Sequence, residues 1–164
     1  MNLRPHQQRA YDKMESVDKG QIIIPTGGGK TFIMIADCKR HIAQATSPRT
    51  IVVVAPRILL SNQLHAEFSE HVLNAKVLHV HSGEVKEDST TKPQHILGWS
   101  NKYIDEHQML FTTYHSLHRI VSSGIDIDTI YYDEAHNGTG RSFNEAIVDI
   151  EGQSDRHFFF TATP

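Results

Sequence analysis

Two patterns alternate along the chain. Short apolar runs that read as buried strands are separated by longer stretches whose apolar positions recur at helical spacing. Leu3, Ala10, Met14 and Val17 form a rough helical stripe behind Pro5, whose fixed φ suits a first helical turn, and Lys19-Gly20 closes it. Gln21 to Ile24 reads as the first strand, and a Gly-rich turn then leads into a helix from Phe32 to about Ala45. Thr50 to Ala55 is the clearest strand, apolar enough to be buried on both faces, and a helix follows from about Ile58 to Val72. After a shorter strand, Lys76 to Val80, the polar, mixed-charge segment from Ser82 to Pro93 reads as a mobile loop or insertion. Beyond it the pattern predicts a helix around Trp99, a strand from Gln108 to Thr113 and a short helix from Tyr114 to Val121. A strand from Ile125 to Tyr132, a helix over about Ser142 to Ile150 and a last strand, His157 to Thr161, complete the series. Strands and helices at this spacing define an α/β class: a mostly parallel sheet flanked by helices on both faces. No repeat, low-complexity tract or shift in composition divides it, so residues 1–164 read as a single domain. In such sheets ligands bind at the carboxyl ends of the strands.

Composition narrows the setting. No apolar run approaches the roughly eighteen residues of a membrane span, and the N-terminus has no apolar signal region. The single cysteine, Cys38, excludes an internal disulfide framework and fits a reducing, intracellular and cytoplasmic location. It falls in the helix after the Gly-rich turn, where a buried small residue is expected. The formal net charge of −3 leaves no broad basic patch, so nucleic-acid binding would rest on a few placed groups and backbone N–H, with weak affinity in isolation.

The chemistry is concentrated at two strand ends. Ile22-Ile23-Ile24-Pro25-Thr26-Gly27-Gly28-Gly29-Lys30-Thr31 has the strand, loop and helix order of a phosphate-binding loop. Glycines let the backbone N–H groups approach phosphate oxygens, Lys30 reaches the terminal phosphates, and the Thr31 hydroxyl binds Mg²⁺. The strict pattern places a glycine where this chain has Ile24, while the Gly-Lys-Thr end is intact. Asp133-Glu134 directly follows the apolar Ile130, Tyr131 and Tyr132. Beside a phosphate loop, paired carboxylates at a strand end suit metal and water handling: Asp133 as an Mg²⁺ holder through water, Glu134 orienting and deprotonating the attacking water. Among the twelve histidines, His79 and His81 share a strand face as possible metal ligands, but no third ligand is evident; His115 and His118 are no stronger. Trp99 and Tyr103, four residues apart, read as a packing pair.

Taken together, Gly-Gly-Gly-Lys-Thr, Asp133-Glu134-Ala135-His136 and Thr161-Ala162-Thr163-Pro164 resemble motifs I, II and III of superfamily 2 DEAD/DEAH-box helicases and translocases. Leu3-Arg4-Pro5-His6-Gln7 resembles the Q motif, Ala55-Pro56-Arg57 with Leu60 and Gln63 resembles motif Ia, and Thr112-Thr113-Tyr114-His115-Ser116-Leu117 resembles motif Ib. Six motifs in order span the chain, and the resemblance implies an N-terminal RecA-like ATP-binding domain of the kind found in DNA repair helicases and type III restriction subunits. By that resemblance, Gln7 hydrogen-bonds the adenine edge and Arg4 stacks on the ring. Thr26, Gly27, Gly28, Gly29, Lys30 and Thr31 hold ATP and Mg²⁺, with Asp133 on the metal and Lys30, Asp133, Glu134 and His136 in catalysis. His136, Thr161 and Thr163 couple the nucleotide to the nucleic-acid groove, and Arg57 and Thr113 contact the backbone of one strand.

The resemblance favours DNA over RNA as partner and no membrane. It also implies a second RecA-like domain, absent here, that supplies an arginine finger, so this segment reads as the first half of a two-domain motor. By itself it is expected to bind ATP weakly and hydrolyse it poorly. Three alternatives stand beside a helicase: the motor part of a type I or III restriction enzyme, a scaffold that remodels nucleic acid with ATP as a switch and no strand separation, and an ATP-binding protein without a nucleic-acid partner.

Overall fold

The computed structural model describes residues 2–25, 29–135 and 141–162. In chain order the elements are α1 (Pro5–Glu15), β1 (Lys19–Ile23), α2 (Lys30–Ala43), β2 (Thr50–Ala55), α3 (Ile58–Ser69), β3 (Ala75–Val80), β4 (Asp88–Ser89), α4 (Pro93–Lys102), β5 (His107–Thr113), α5 (Leu117–Ser123), β6 (Ile127–Tyr132), α6 (Arg141–Glu151) and β7 (Ser154–Thr161). The seven strands form one sheet in the order β1-β7-β6-β2-β5-β3-β4, and every pair is parallel.

Alternation along the strands divides the core into two layers. Ile51, Val53 and Ala55 of β2 pack with Met109, Phe111, Tyr131, Phe158 and Phe160 against α1, α2 and α3. Val52 and Val54 point the other way, with Leu110, Ile130 and Tyr132, against α4, α5 and α6. A strand covered on both faces must be apolar at odd and even positions alike, which is why the central strands read as continuous apolar runs. Cys38 is fully buried in the first layer, and burial pushes its thiol pKa up, as befits a packing residue.

The structure departs from the sequence reading where pairing, not local pattern, decides. Lys19 and Gly20 do not close the first helix; they belong to β1, in register with His157 and Phe158 of β7. β7 accordingly starts at Ser154 and not at His157. The segment after β3 is anchored rather than loose. Asp88 and Ser89 pair with Leu78 and His79, Trp99 Nε1 donates to Asp88 Oδ2 at 3.2 Å, and Arg119 Nη1 donates to the Thr91 carbonyl at 2.8 Å. The Trp99 and Tyr103 rings meet edge to face with centroids 5.5 Å apart, as a packing pair. Among the described residues no helix is long and apolar enough to cross a membrane.

Nearer the amino ends of β6 and β7 lies a buried charged network. Arg156 forks onto Asp37, Nη1 to Oδ2 at 3.1 Å and Nη2 to Oδ1 at 2.9 Å, and also donates to Thr129 Oγ1 and the Met14 carbonyl. Tyr131 donates its hydroxyl to Asp37 Oδ2 at 2.5 Å, and Arg40 reaches Asp37 Oδ1 at 3.0 Å and the Tyr11 carbonyl at 2.7 Å. Asp37 is wholly buried and tolerable there because three donors saturate its carboxylate. The network bolts α1 and α2 to β6 and β7, fixing the helix that carries the phosphate loop's Lys30.

Candidate nucleotide site

Five carboxyl strand ends converge. The ladder runs on past the strands: Ile24 N donates to the Thr161 carbonyl at 3.0 Å, Asp133 N to the Val54 carbonyl at 2.8 Å, and Tyr114 N to the Ala55 carbonyl at 3.1 Å. These bonds align the exits of β1, β7, β6, β2 and β5, so the segments that follow them begin at one level.

At that level Gly29 is the N-cap of α2, with φ 74° and ψ 42°, a left-handed conformation that glycine adopts without strain. A Cβ there would fall 2.2 Å from Gln7 Nε2 and 3.2 Å from Arg4 Nη2, so bulk as well as φ requires glycine. Gln7 is buried and held twice: its Oε1 accepts the Arg4 backbone N–H at 2.7 Å, and its Nε2 donates to the Gly29 carbonyl at 3.1 Å. The start of α1 is thereby fastened to the phosphate loop, 22 residues away in sequence.

Lys30 opens α2, and its ammonium lies 3.2 Å from Asp133 Oδ1 and is also ion-paired with Glu134 Oε1. Asp133 is buried and Glu134, at φ 51°, is the non-glycine residue with positive φ among the described residues. That turn aims two consecutive carboxylates at one cation; a β conformation at Glu134 would send them to opposite sides. Thr31 follows Lys30 in the first turn of α2 and is half-buried. Thr161, at the end of β7, is buried beside β1, where it is in register with Ile23.

Motif Ib adds a link that sequence inspection did not find. The Tyr114 hydroxyl donates to the Asp133 carbonyl at 2.7 Å, and its ring lies parallel to that of Tyr132, which in turn stacks on Phe159 with centroids 4.5 Å apart. Burial pushes the Tyr114 pKa up, so the phenol remains a donor. The segment that ends β5 is thus tied to the first residue of the Asp133-Glu134 pair. Of the two expected nucleic-acid contacts, Arg57 is exposed at the N-cap of α3, two residues past the end of β2. Thr113 is buried, and its hydroxyl accepts the Ser116 N–H at 3.3 Å, closing the turn into α5. Thr26, Gly27, Gly28, His136 and Thr163 lie outside the described residues.

A RecA-like sheet with a lysine at the start of its first crossover helix, facing an Asp-Glu pair just past the end of β6, is the N-terminal domain architecture of superfamily 2 helicases. Within that class the match is specific: residues 1–164 fit the type III restriction enzyme res-subunit family, and the chain belongs to it. No curated protein matches. Among solved structures, a nuclease-deletion mutant of the Type ISP restriction-modification enzyme LlaGI, in complex with a DNA substrate mimic, shares 23% identity at a TM-score of 0.84, covering 100% of this chain and 18% of that one. The SWI2/SNF2 ATPase core of Sulfolobus solfataricus, in complex with dsDNA, shares 21% at 0.69, covering 100% and 32%. The Hef helicase domain of Pyrococcus furiosus shares 19% at 0.75, covering 98% and 33%. Each is a likeness of fold, and this chain spans a third or less of each.

Proposed function

We propose that this domain binds and hydrolyses ATP with Mg²⁺ as the first half of a motor that moves along or separates DNA, with a second RecA-like domain completing the site. The observation that carries the reading is the Lys30 ammonium shared between Asp133 and Glu134. The cation and the two carboxylates meet at the mouth of a left-handed glycine turn. With a nucleotide triphosphate and its metal bound, Lys30 would turn to the phosphates, and the carboxylates would be freed for metal and water.

The donor set fits the group. Thr31 and Asp133 would hold Mg²⁺, whose charge offsets that of the phosphates. Lys30 binds the terminal phosphates. Glu134, partly open to solvent, orients a water and accepts its proton. Gln7, locked to Gly29, and Arg4 beside it would contact the base, and Thr161 ends β7 beside β1. Arg57, on the exposed rim of the same strand ends, supplies a phosphate contact, whereas Thr113 would contribute through the shape of its turn. DNA is bound in two of the similar structures, which supports DNA as the partner, and the restriction-modification enzyme among them supports a restriction motor as the parent.

The deciding experiment is steady-state ATP hydrolysis by the full-length protein and by this domain, with single- and double-stranded DNA and RNA, alongside Lys30→Ala and Glu134→Gln. Stimulation by DNA in the full-length protein, abolished in both variants, supports the motor. Hydrolysis indifferent to every nucleic acid overturns it.

A further inference from the structure

Away from the nucleotide site, three elements bring together side chains with metal-ligand chemistry. We propose that His65 of α3, His79 of β3 and Glu87 of the β3–β4 connection form a binding site for a borderline divalent cation of the zinc type. His79 Nε2 lies 3.0 Å and His65 Nδ1 3.6 Å from the same carboxylate oxygen, Glu87 Oε1, and the three donor atoms lie within 4.8 Å of one another. The two rings meet edge to face with centroids 4.7 Å apart, so both nitrogens approach the oxygen from different directions, as ligands around one ion do.

The donor set selects the metal. Two imidazoles and one carboxylate suit Zn²⁺, Co²⁺ or Ni²⁺, whereas Mg²⁺ and Ca²⁺ require oxygen. His79 is completely buried, which fixes its ring between α3 and the β3–β4 connection. His65 and Glu87 are partly open to solvent, which leaves room for water as a fourth ligand. His81, the strand-face neighbour of His79, is excluded: its Nδ1 accepts the Gly83 N–H at 3.0 Å, so its Nε2 carries the proton given to Asn62 Oδ1 at 3.1 Å. Both of its nitrogens are spent on holding the wall of the site.

Ligation has a signature in the proton of His79. Among the described residues its buried Nδ1 has no hydrogen-bond partner, and in the metal-free protein Nε2–H donates to Glu87. A metal on Nε2 takes that lone pair and moves the proton to Nδ1. Lacking an acceptor there, the site is weaker than one with a complete outer shell. What it would clamp is the connection after β3, pinned through Glu87 to α3.

The test uses chelator-stripped protein titrated with ZnCl₂, and with CoCl₂ as a spectroscopic probe. One equivalent should raise the melting temperature, give the visible absorption of low-coordinate Co²⁺, and shift the His79 ¹⁵N resonances to the Nδ1–H tautomer. All three effects should be lost in His65→Ala and in Glu87→Gln, and kept in Asp133→Asn, which alters the nucleotide site, and in the exposed His118→Ala. No stabilisation by Zn²⁺, stabilisation that survives both ligand variants, or an unchanged His79 tautomer at saturation would overturn the site and leave a hydrogen-bonded cluster.

Discussion

The molecule holds two clusters of opposed charge, and they are built for opposite ends. At the carboxyl end of the sheet, Lys30 faces Asp133 and Glu134, on side chains 20%, 7% and 24% exposed. Toward the amino end, Arg156 and Arg40 face an Asp37 that is wholly buried and that also accepts from Tyr131. In the second cluster the carboxylate is saturated by partners that are themselves anchored to main-chain carbonyls of α1. In the first, a flexible lysine meets two acids at the edge of solvent. A pair that can be exchanged for a ligand must be reachable; one that holds helices to a sheet must not be. The difference between a site and a rivet is whether the partners can leave.

That contrast can be broken experimentally. The largest effect is expected from Glu134→Gln in the full-length protein: ATP turnover should drop by roughly 10²–10⁴-fold, the range for losing a positioned base, with the melting temperature little changed. Asp37→Ala should do the reverse. It strands a buried guanidinium and a phenol, so urea titration should show a loss of about 3–5 kcal/mol, and any fall in turnover should track unfolding. Acid should erode the fold through its buried histidines. His41, lowered from 6.5 to about 4 chiefly by burial, and His79, His81 and His157, lowered for the same first reason, are favoured neutral in the native state. Their contribution is complete above their ordinary value and is lost as pH falls from there through the lowered values, so urea midpoints should decline across that interval and be flat above it. Tyr114→Phe removes one hydrogen bond to the Asp133 carbonyl and should cost about 0.5–1.5 kcal/mol; a turnover loss larger than that implies would mark the hydroxyl as a positioning group. The smallest effect should come from Lys19→Ala, whose exposed pairing with Glu151 contributes less than about 1 kcal/mol and fades with salt.

How legible this was in the sequence depends on whether the cause was local. The buried strands showed themselves because a parallel strand covered on both faces must be apolar at every position, as Thr50 to Ala55 is. The Lys30 and Asp133-Glu134 ends were readable because each is a contiguous motif whose chemistry needs those residue types. What stayed hidden was set by distant pairing. β4 has two polar residues and exists only because β3 offers an edge. The Asp37–Arg156 fork joins positions 119 residues apart, and the same arginine in isolation reads as a surface charge. The hydroxyl of Tyr114 finds Asp133 because β5 and β6 flank β2 on either side, an order that no stretch of sequence announces. His79 was visible as a candidate ligand, but its partners came from α3 and the following connection rather than from His81, its neighbour along the strand.

The sheet order also has a consequence for how the domain comes into being on the ribosome. β1 precedes the other six strands in the chain, yet its strand partner is β7. Until residues 154–161 have been synthesised, β1 has nothing to pair with, and the Ile24–Thr161 bond that levels the loop with its neighbours cannot form. The nascent chain can assemble β2, β5, β3 and β6 beforehand, with closure of the longest loop left to the end. The level at which β1 ends is therefore set late in biogenesis, only when the last strand has arrived.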